Sequence, residues 1–276
     1  MAPDGTPLPN IREKAQEHGF ATGVVVTKEV TDATPAVFLA HNDNRGNAEA
    51  IAADYLNCGV DVLLGGGQKV FTARADGRNL AKELEAKGYR VITKESELAG
   101  IHEGKVVGLF AKQHMAKALD RQNDYLANAT GKALELLSHK SGSKGFFLMV
   151  EGSQIDSWAH ANDAKSLLAE MSEFDKAVGV AFDFADANPG TLVIVVADHE
   201  TGGITLPSGN ADFLLGDQGI EIKFSTNGHT GIMVPVYAYG AGAEHFTTIM
   251  ENTDIPKKME VLFGFGVVQK HKKKRP

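Results

Sequence analysis

Cysteine is almost absent. Cys58 stands alone among 276 residues, so no disulfide can form within the chain, and the residue is expected to be a small buried hydrophobe. Cysteine usage therefore says nothing about redox compartment. Long apolar runs are missing too, since no stretch reaches the roughly 18 consecutive residues that an ordinary membrane-spanning helix needs. The opening Met1-Ala2-Pro3-Asp4-Gly5-Thr6-Pro7 has no charged region followed by an apolar one, so this chain shows no secretory signal. A basic excess is lacking as well. The formal net charge of −7 argues against a nucleic-acid surface, because neutralising phosphates along a duplex takes clustered Lys and Arg. The exception is Lys270 to Arg275, five basic residues in six positions. It reads as a solvated, disordered tail (270–276) behind a single domain at 1–269.

What is present is ample core material, with 43% hydrophobic residues. Short apolar, β-branched runs bounded by Gly, Pro or polar residues read as strands: Gly23 to Thr27, Val60 to Leu64, Lys105 to Phe110, Phe146 to Val150, Leu192 to Ala197 and Val234 to Tyr239. Their near-continuous hydrophobicity suits strands covered on both faces. Helical stretches alternate with them at Ile11 to Glu17, Asn47 to Tyr55, Leu80 to Lys87, Lys132 to Leu137 and Lys165 to Phe184. In the last, Leu167, Met171, Phe174 and Val178 are expected to face the core, with Glu170, Glu173 and Asp183 elsewhere. The alternation predicts an α/β fold, with a mixed, largely parallel central sheet between helices on both faces. Gly65-Gly66-Gly67 lacks the spacing and Lys of a phosphate-binding loop, so it reads as a strand-exit turn.

Ligands of open α/β sheets sit beyond the carboxyl ends of strands. Two such ends, and one segment just ahead of a strand, are rich in carboxylate and imidazole. Glu151 follows the fourth strand and leads to Asp156 and His160; Asp198 and His199 follow the fifth; His229, between glycines at 228 and 231, precedes the sixth. Asp156 and His160 are four apart, so on a helical turn they share one face and can grip one ion, and nitrogen plus carboxylate oxygen suits Zn²⁺. A single His or Asp in a Gly-rich loop is usually a turn or capping residue. Three clusters with three His, two Asp and a Glu are harder to dismiss, and together they point to a polynuclear metal site.

The segments Thr31-Asp32-Ala33-Thr34-Pro35-Ala36, Glu151 through His160, Ala197-Asp198-His199-Glu200 and Gly228-His229-Thr230-Gly231 resemble, in order, the signature series of the alkaline phosphatases, and the similarity runs from about Gly5 to about Gly264. The resemblance implies zinc- and magnesium-dependent hydrolysis of phosphate monoesters, with inorganic phosphate also bound. Asp156, His160 and His229 match ligands of a first zinc, and Asp198 and His199 ligands of a second. Glu151 and Thr34 match magnesium ligands, with Asp32 in the outer shell, and Arg45 stands where the family clamps phosphate. A planar guanidinium fork suits that task. A homodimer and a periplasmic or secreted location are further expectations of the resemblance.

Two family features have no counterpart here: the nucleophilic serine, which lies upstream of everything matched, and a carboxylate bridging the second zinc and the magnesium. None of the ten serines matches the nucleophile's context, Ser153, Ser157 and Ser225 being nearest to the motifs. The sequence is thus expected to be a truncated member, without the N-terminal strand and nucleophile region, with weak second-zinc and magnesium sites and impaired catalysis. The alternative is a non-catalytic zinc-binding or interaction protein on the same scaffold. A phosphodiesterase or mutase of the wider superfamily fits the Thr31 to Ala36 segment and Arg45 less well.

Overall fold

The computed structural model describes residues 4–121, 123–142, 144–207 and 221–265. The basic tail at 270–276 lies outside these residues. The first helix, α1 (Ile11–Glu17), opens on a reciprocal cap: Asn10 accepts from the Glu13 backbone, and Glu13 accepts from the Asn10 backbone. This satisfies two amide donors that a helix start leaves unpaired. Next comes β1 (Ala21–Glu29), whose first seven residues are buried.

β1 is an interior strand of a five-stranded sheet. On one side it pairs with β2 (Val62–Gly66), which pairs with β4 (Lys105–Leu109) and then β3 (Tyr89–Ile92); on the other it pairs with β5 (Phe146–Glu151). Every pairing is parallel, so every strand presents its carboxyl end to the same rim. β3 was not expected from sequence, because its four residues alternate buried, exposed, intermediate and buried, with Arg90 outward. The glycine run behaves as a strand exit. Gly66 closes β2, and Gly67, at φ 99°, leads into α4 (Gln68–Thr72).

Side-chain alternation along β1 splits the core in two. Val24 and Val26 pack with α2 (Ala33–Leu39), α3 (Ala48–Cys58) and α5 (Leu80–Ala86) on one face. Ala21 and Val25 pack with α6 (Tyr125–Ser141) and α8 (Ala164–Ala187) on the other. Burying each Leu, Val or Ile contributes about 1.5–3 kcal/mol, which sets the scale of these two layers. Gly23 lets α6 sit close, since a Cβ there would meet Leu137 Cδ1 at 2.7 Å. Cys58 is only partly buried and donates to the Tyr55 carbonyl at 3.3 Å.

β6 (Leu192–Val196) and β9 (Val236–Gly240) form a separate antiparallel pair beside the parallel sheet. α8 leans on both: Phe184 meets Phe146 of β5 at 5.7 Å, and Phe182 stacks on Tyr239 of β9 at 4.5 Å. β6 was expected to be covered on both faces, yet no residue in it is fully buried.

α8 also corrects the expected orientation. Met171 is exposed, whereas Glu170 and Glu173 are buried and paired with Arg121, itself buried. Glu170 further accepts from the Ala118 amide, and Glu173 from the Leu126 amide. A hydrophobicity pattern assigns such glutamates to solvent because it cannot see the partner 49 and 52 residues away. Among the described residues no helix is long and apolar enough to cross a membrane.

Candidate metal centre

β5 ends at Glu151, and two residues later the chain turns into α7 (Gln154–His160). Gln154 anchors this turn from inside, its amide nitrogen donating to the carbonyls of Thr27 at 3.0 Å and Met115 at 3.1 Å. One helical turn separates Asp156 from His160, which places Asp156 Oδ1 3.3 Å from His160 Nε2.

The third donor arrives by strand pairing. After β6 the chain passes Asp198 and His199 into β7 (Glu200–Thr201), which pairs antiparallel with β8 (His229–Thr230), setting His229 opposite Thr201. Glu200 locks the pair by accepting from the Thr230 hydroxyl and from the Ile204 amide at 3.0 Å. Those bonds, the Thr230 one foremost, hold its carboxyl below the usual range. His229 Nε2 then lies 3.1 Å from His160 Nε2 and 3.5 Å from Asp156 Oδ1.

These separations have a simple reading. Ligand atoms about 2.0–2.1 Å from a tetrahedral zinc stand roughly 3.3 Å apart. Asp156, His160 and His229 therefore already form one face of such a tetrahedron, and they fit a zinc ion in both donor type and spacing. His199 joins the group, its ring stacked on that of His229 at 3.6 Å. The ligand atoms of Asp156, His199 and His229 all lie within 4.8 Å of one another. Asp198 is 80% exposed, and its Oδ2 lies 3.3 Å from His199 Nε2.

A second cluster gathers around Glu151. Burial pushes its carboxyl up, against hydrogen bonds from Ser153 and Thr34 that act the other way. The Ser153 bond is 2.6 Å, and the Thr27 amide donates to the same hydroxyl. Asp32 caps α2, accepting from the Ala33 amide at 2.9 Å and from Arg45 Nη2 at 2.8 Å. Although burial works against its charged form, the Ala33 amide, Arg45 and Lys28 together bring its carboxyl below the ordinary range. Two carboxylates and a threonine hydroxyl make a hard oxygen set of the kind magnesium takes. Arg45 is 69% exposed and leans on Asp32, leaving most of its fork open to solvent.

Sequence reasoning missed the supporting residues. Ser153 was weighed only as a nucleophile, whereas its hydroxyl serves Glu151. Thr201, buried beside the cluster, bonds Asp156 and His199 and had no motif to announce it. Asn227 gave no signal beyond standing two residues before His229.

A sequence profile described as alkaline phosphatase matches residues 1–218. The chain belongs to the alkaline phosphatase family. Alkaline phosphatase 4 of Bacillus subtilis is 34% identical, the match covering 91% of this chain and 69% of that protein. Streptomycin-6-phosphate phosphatase of Streptomyces griseus is 33% identical over 90% of this chain and 70% of its own length. Among solved structures, alkaline phosphatase from the Antarctic bacterium TAB5 superposes with a TM-score of 0.89 at 39% identity, covering 96% of this chain and 78% of that one. A mutant of the same TAB5 enzyme, solved with Mg bound in its M3 site, gives a TM-score of 0.87 at 38% identity, with coverage of 96% and 78%. The parallel sheet flanked by helices is thus the fold of this phosphomonoesterase family.

Proposed function

We propose that the site built here is that of a phosphomonoester hydrolase taking two zinc ions and one magnesium ion. The observation that carries this reading is the three-donor face of Asp156, His160 and His229, with separations of 3.1, 3.3 and 3.5 Å. Those residues would hold the first zinc, Asp198 and His199 the second, and Glu151 with Thr34 the magnesium, Asp32 standing in its outer shell. When bound, such ions supply Lewis acidity toward phosphoryl oxygens and lower the pKa of water.

The chain's own residues do the rest. Arg45 is steered by Asp32 through one nitrogen, so its remaining N–H groups can grip two oxygens of a phosphate monoester or of inorganic phosphate. Thr34 and Ser153 hydrogen-bond Glu151, which would orient its carboxylate for the proposed magnesium. Homodimerisation and a periplasmic or secreted setting belong to the same proposal, as does the absence of a nucleic-acid partner.

Catalysis by this 276-residue polypeptide is proposed to be impaired. Ser153 gives its hydroxyl proton to Glu151, and Ser225 donates to the Gly203 carbonyl at 3.1 Å, so neither is poised as the family's nucleophile. Zinc titration of metal-stripped chain, followed by thermal unfolding, tests the reading. Zinc at about 100 times its Kd should stabilise by about 2.7 kcal/mol, and His229→Ala should abolish the effect. No zinc-dependent stabilisation of the wild-type chain would overturn it. If zinc binds but aryl phosphate is never turned over, the non-catalytic zinc-binding alternative stands instead.

A further inference from the structure

His160 is held from behind by a residue that no motif includes. Its Nδ1 lies 2.5 Å from the Asn227 carbonyl, while the Asn227 side-chain amide donates to the His160 carbonyl at 2.9 Å. The two residues therefore grip each other twice, ring to backbone and side chain to backbone, across 67 positions of sequence.

Asn162 braces this grip. It has φ 53°, and among the described residues it is the one non-glycine with positive φ, a conformation that asparagine tolerates better than most residues. The turn lets the chain leave α7 directly after His160. With its nitrogen toward the two carbonyls, the Asn162 amide donates to Ala159 at 2.9 Å and Thr226 at 3.0 Å, and its oxygen accepts from Asn227 at 3.3 Å. The end of α7 is thereby bolted to the loop that carries His229 two residues beyond Asn227. On the far side of that loop, the Gly202 amide donates to the Gly228 carbonyl at 2.9 Å, tying it to the His199 turn as well.

The consequence is a choice of tautomer. A backbone carbonyl can only accept, so Nδ1 of His160 must carry a proton, and in the neutral ring that a metal ligand requires, Nε2 is then the nitrogen with the lone pair. Nε2 is the atom facing Asp156 Oδ1 at 3.3 Å and His229 Nε2 at 3.1 Å. We infer that Asn227 is a positioning residue for the metal centre: its side chain holds the His160 backbone so that its own carbonyl fixes the ring and aims Nε2 at the cation. This rests on the reading that Asp156, His160 and His229 hold zinc. Outer partners of this kind are worth 10–100-fold in metal affinity.

The test uses the whole chain stripped of metal, with Asn227→Ala and His160→Ala as variants. Zinc affinity is measured by competition with a chromophoric chelator, and the His160 tautomer by nitrogen-15 chemical shifts of the ring. Expected are an Nδ1–H ring in the wild type, a growing Nε2–H population in Asn227→Ala, and a 10–100-fold higher zinc Kd for that variant. Unchanged affinity in Asn227→Ala, alongside lost affinity in His160→Ala, would overturn the positioning role and leave the zinc reading intact. Weakened affinity with an unchanged tautomer would also overturn it, as the mark of a merely structural residue. Wild-type chain that binds no zinc would overturn both. Should Asn227→Ala fail to fold, the wild-type ring decides: Nδ1–H supports the inference and Nε2–H overturns it.

Discussion

The Thr201 hydroxyl donates to Asp156 Oδ1 at 2.7 Å and lies 3.1 Å from His199 Nδ1. A hydroxyl has one proton and shares it with the carboxylate, so His199 Nδ1 must donate to Thr201, which in the neutral ring leaves Nε2 as the nitrogen with the lone pair. One buried side chain thus orients ligands proposed for two different zinc ions. Thr201→Val keeps the shape and removes the hydroxyl. It should raise the Kd for zinc about tenfold, at the low end of what outer partners contribute. Unfolding stability should change by about 0.5–1.5 kcal/mol, the net value of a hydrogen bond. Isothermal titration and urea unfolding on the same preparations measure both, and an unchanged zinc Kd would remove Thr201 from the metal centre.

The pairing of Asp156 with His160 was legible in the sequence because its information is local, whereas His229, 69 positions from His160, was matched by resemblance. Asp156 and His160 are one helical turn apart, and Asp198, His199 and His229 flank apolar runs whose ends define the functional rim of the sheet. The parallel character of the sheet was legible from β1, β2 and β4, short runs buried on both faces, whereas β5, also expected to be covered on both faces, has one fully buried residue, Phe147. What was not legible depends on pairs far apart in sequence. Glu170 and Glu173 look solvent-facing until Arg121 is brought against them, and Asn227 looks like a loop residue until His160 leans on its carbonyl. Four-residue β3, with Arg90 outward, carries too little pattern to be told from a loop.

The Arg121 cluster makes a stability prediction. Its guanidinium is buried between two buried carboxylates and also donates to the Ala116 carbonyl, which sits near Gln154 Nε2 beneath the metal turn. Removing the cation leaves two unpaired buried charges, a change that costs about 3–5 kcal/mol. Arg121→Met should lower the unfolding free energy by that amount, read as a lower urea midpoint with the slope unchanged. Replacing Glu170 and Glu173 by Gln in the same variant should recover part of the loss. A loss below about 1 kcal/mol, the value of an exposed ion pair, would mean that water reaches the cluster.

Glu151 sets a pH dependence for the metal-free chain. Burial holds its folded-state pKa above the ordinary value, so folding favours the protonated form. The folded state then binds more protons than the unfolded one, and this group's contribution falls as pH rises from about 4.5 through the raised value. With chelator present, Glu151→Gln should be more stable than wild type at neutral pH, and the gain should vanish below about pH 4. Magnesium should stabilise the wild type and leave the variant unaffected. Parallel thermal melts across pH 3 to 8 check the sign, and a variant less stable at neutral pH would show that the carboxylate is not strained in the metal-free fold.

Among the described residues Arg45 touches the cluster through Asp32, and its fork is mostly open. Arg45→Ala should therefore weaken inorganic phosphate binding at least tenfold while leaving the zinc Kd within about twofold, since a charged hydrogen bond is worth about 1.5–3 kcal/mol. Arg45→Lys should recover charge without the bidentate fork and fall between the two. Phosphate titrations on zinc-loaded protein separate these cases. Equal loss of both ligands would point instead to a folding role, through the helix cap that Asp32 supplies to α2.

The last prediction concerns turnover by the polypeptide as given. The family's two-step route needs a serine free to attack phosphorus, and the serine hydroxyls resolved against Glu151 and Gly203 already donate elsewhere. Splitting one hard displacement into two easier ones is a principal gain of covalent catalysis. If no serine of this polypeptide attacks, water must attack a phosphate held by Arg45 and the proposed metal cluster. Such direct attack by water should face a barrier higher by several kcal/mol, and each 1.36 kcal/mol is tenfold in rate. The zinc- and magnesium-loaded chain should hydrolyse an aryl phosphate at least about a thousandfold more slowly than TAB5 alkaline phosphatase assayed alongside, and His160→Ala should abolish what remains. Ser153→Ala should leave that residual rate within a few-fold, the change expected from loosening Glu151. Turnover equal to the TAB5 enzyme, lost on replacing Ser153 or Ser157, would place the nucleophile inside the Glu151 to His160 segment and overturn this account of the chemistry.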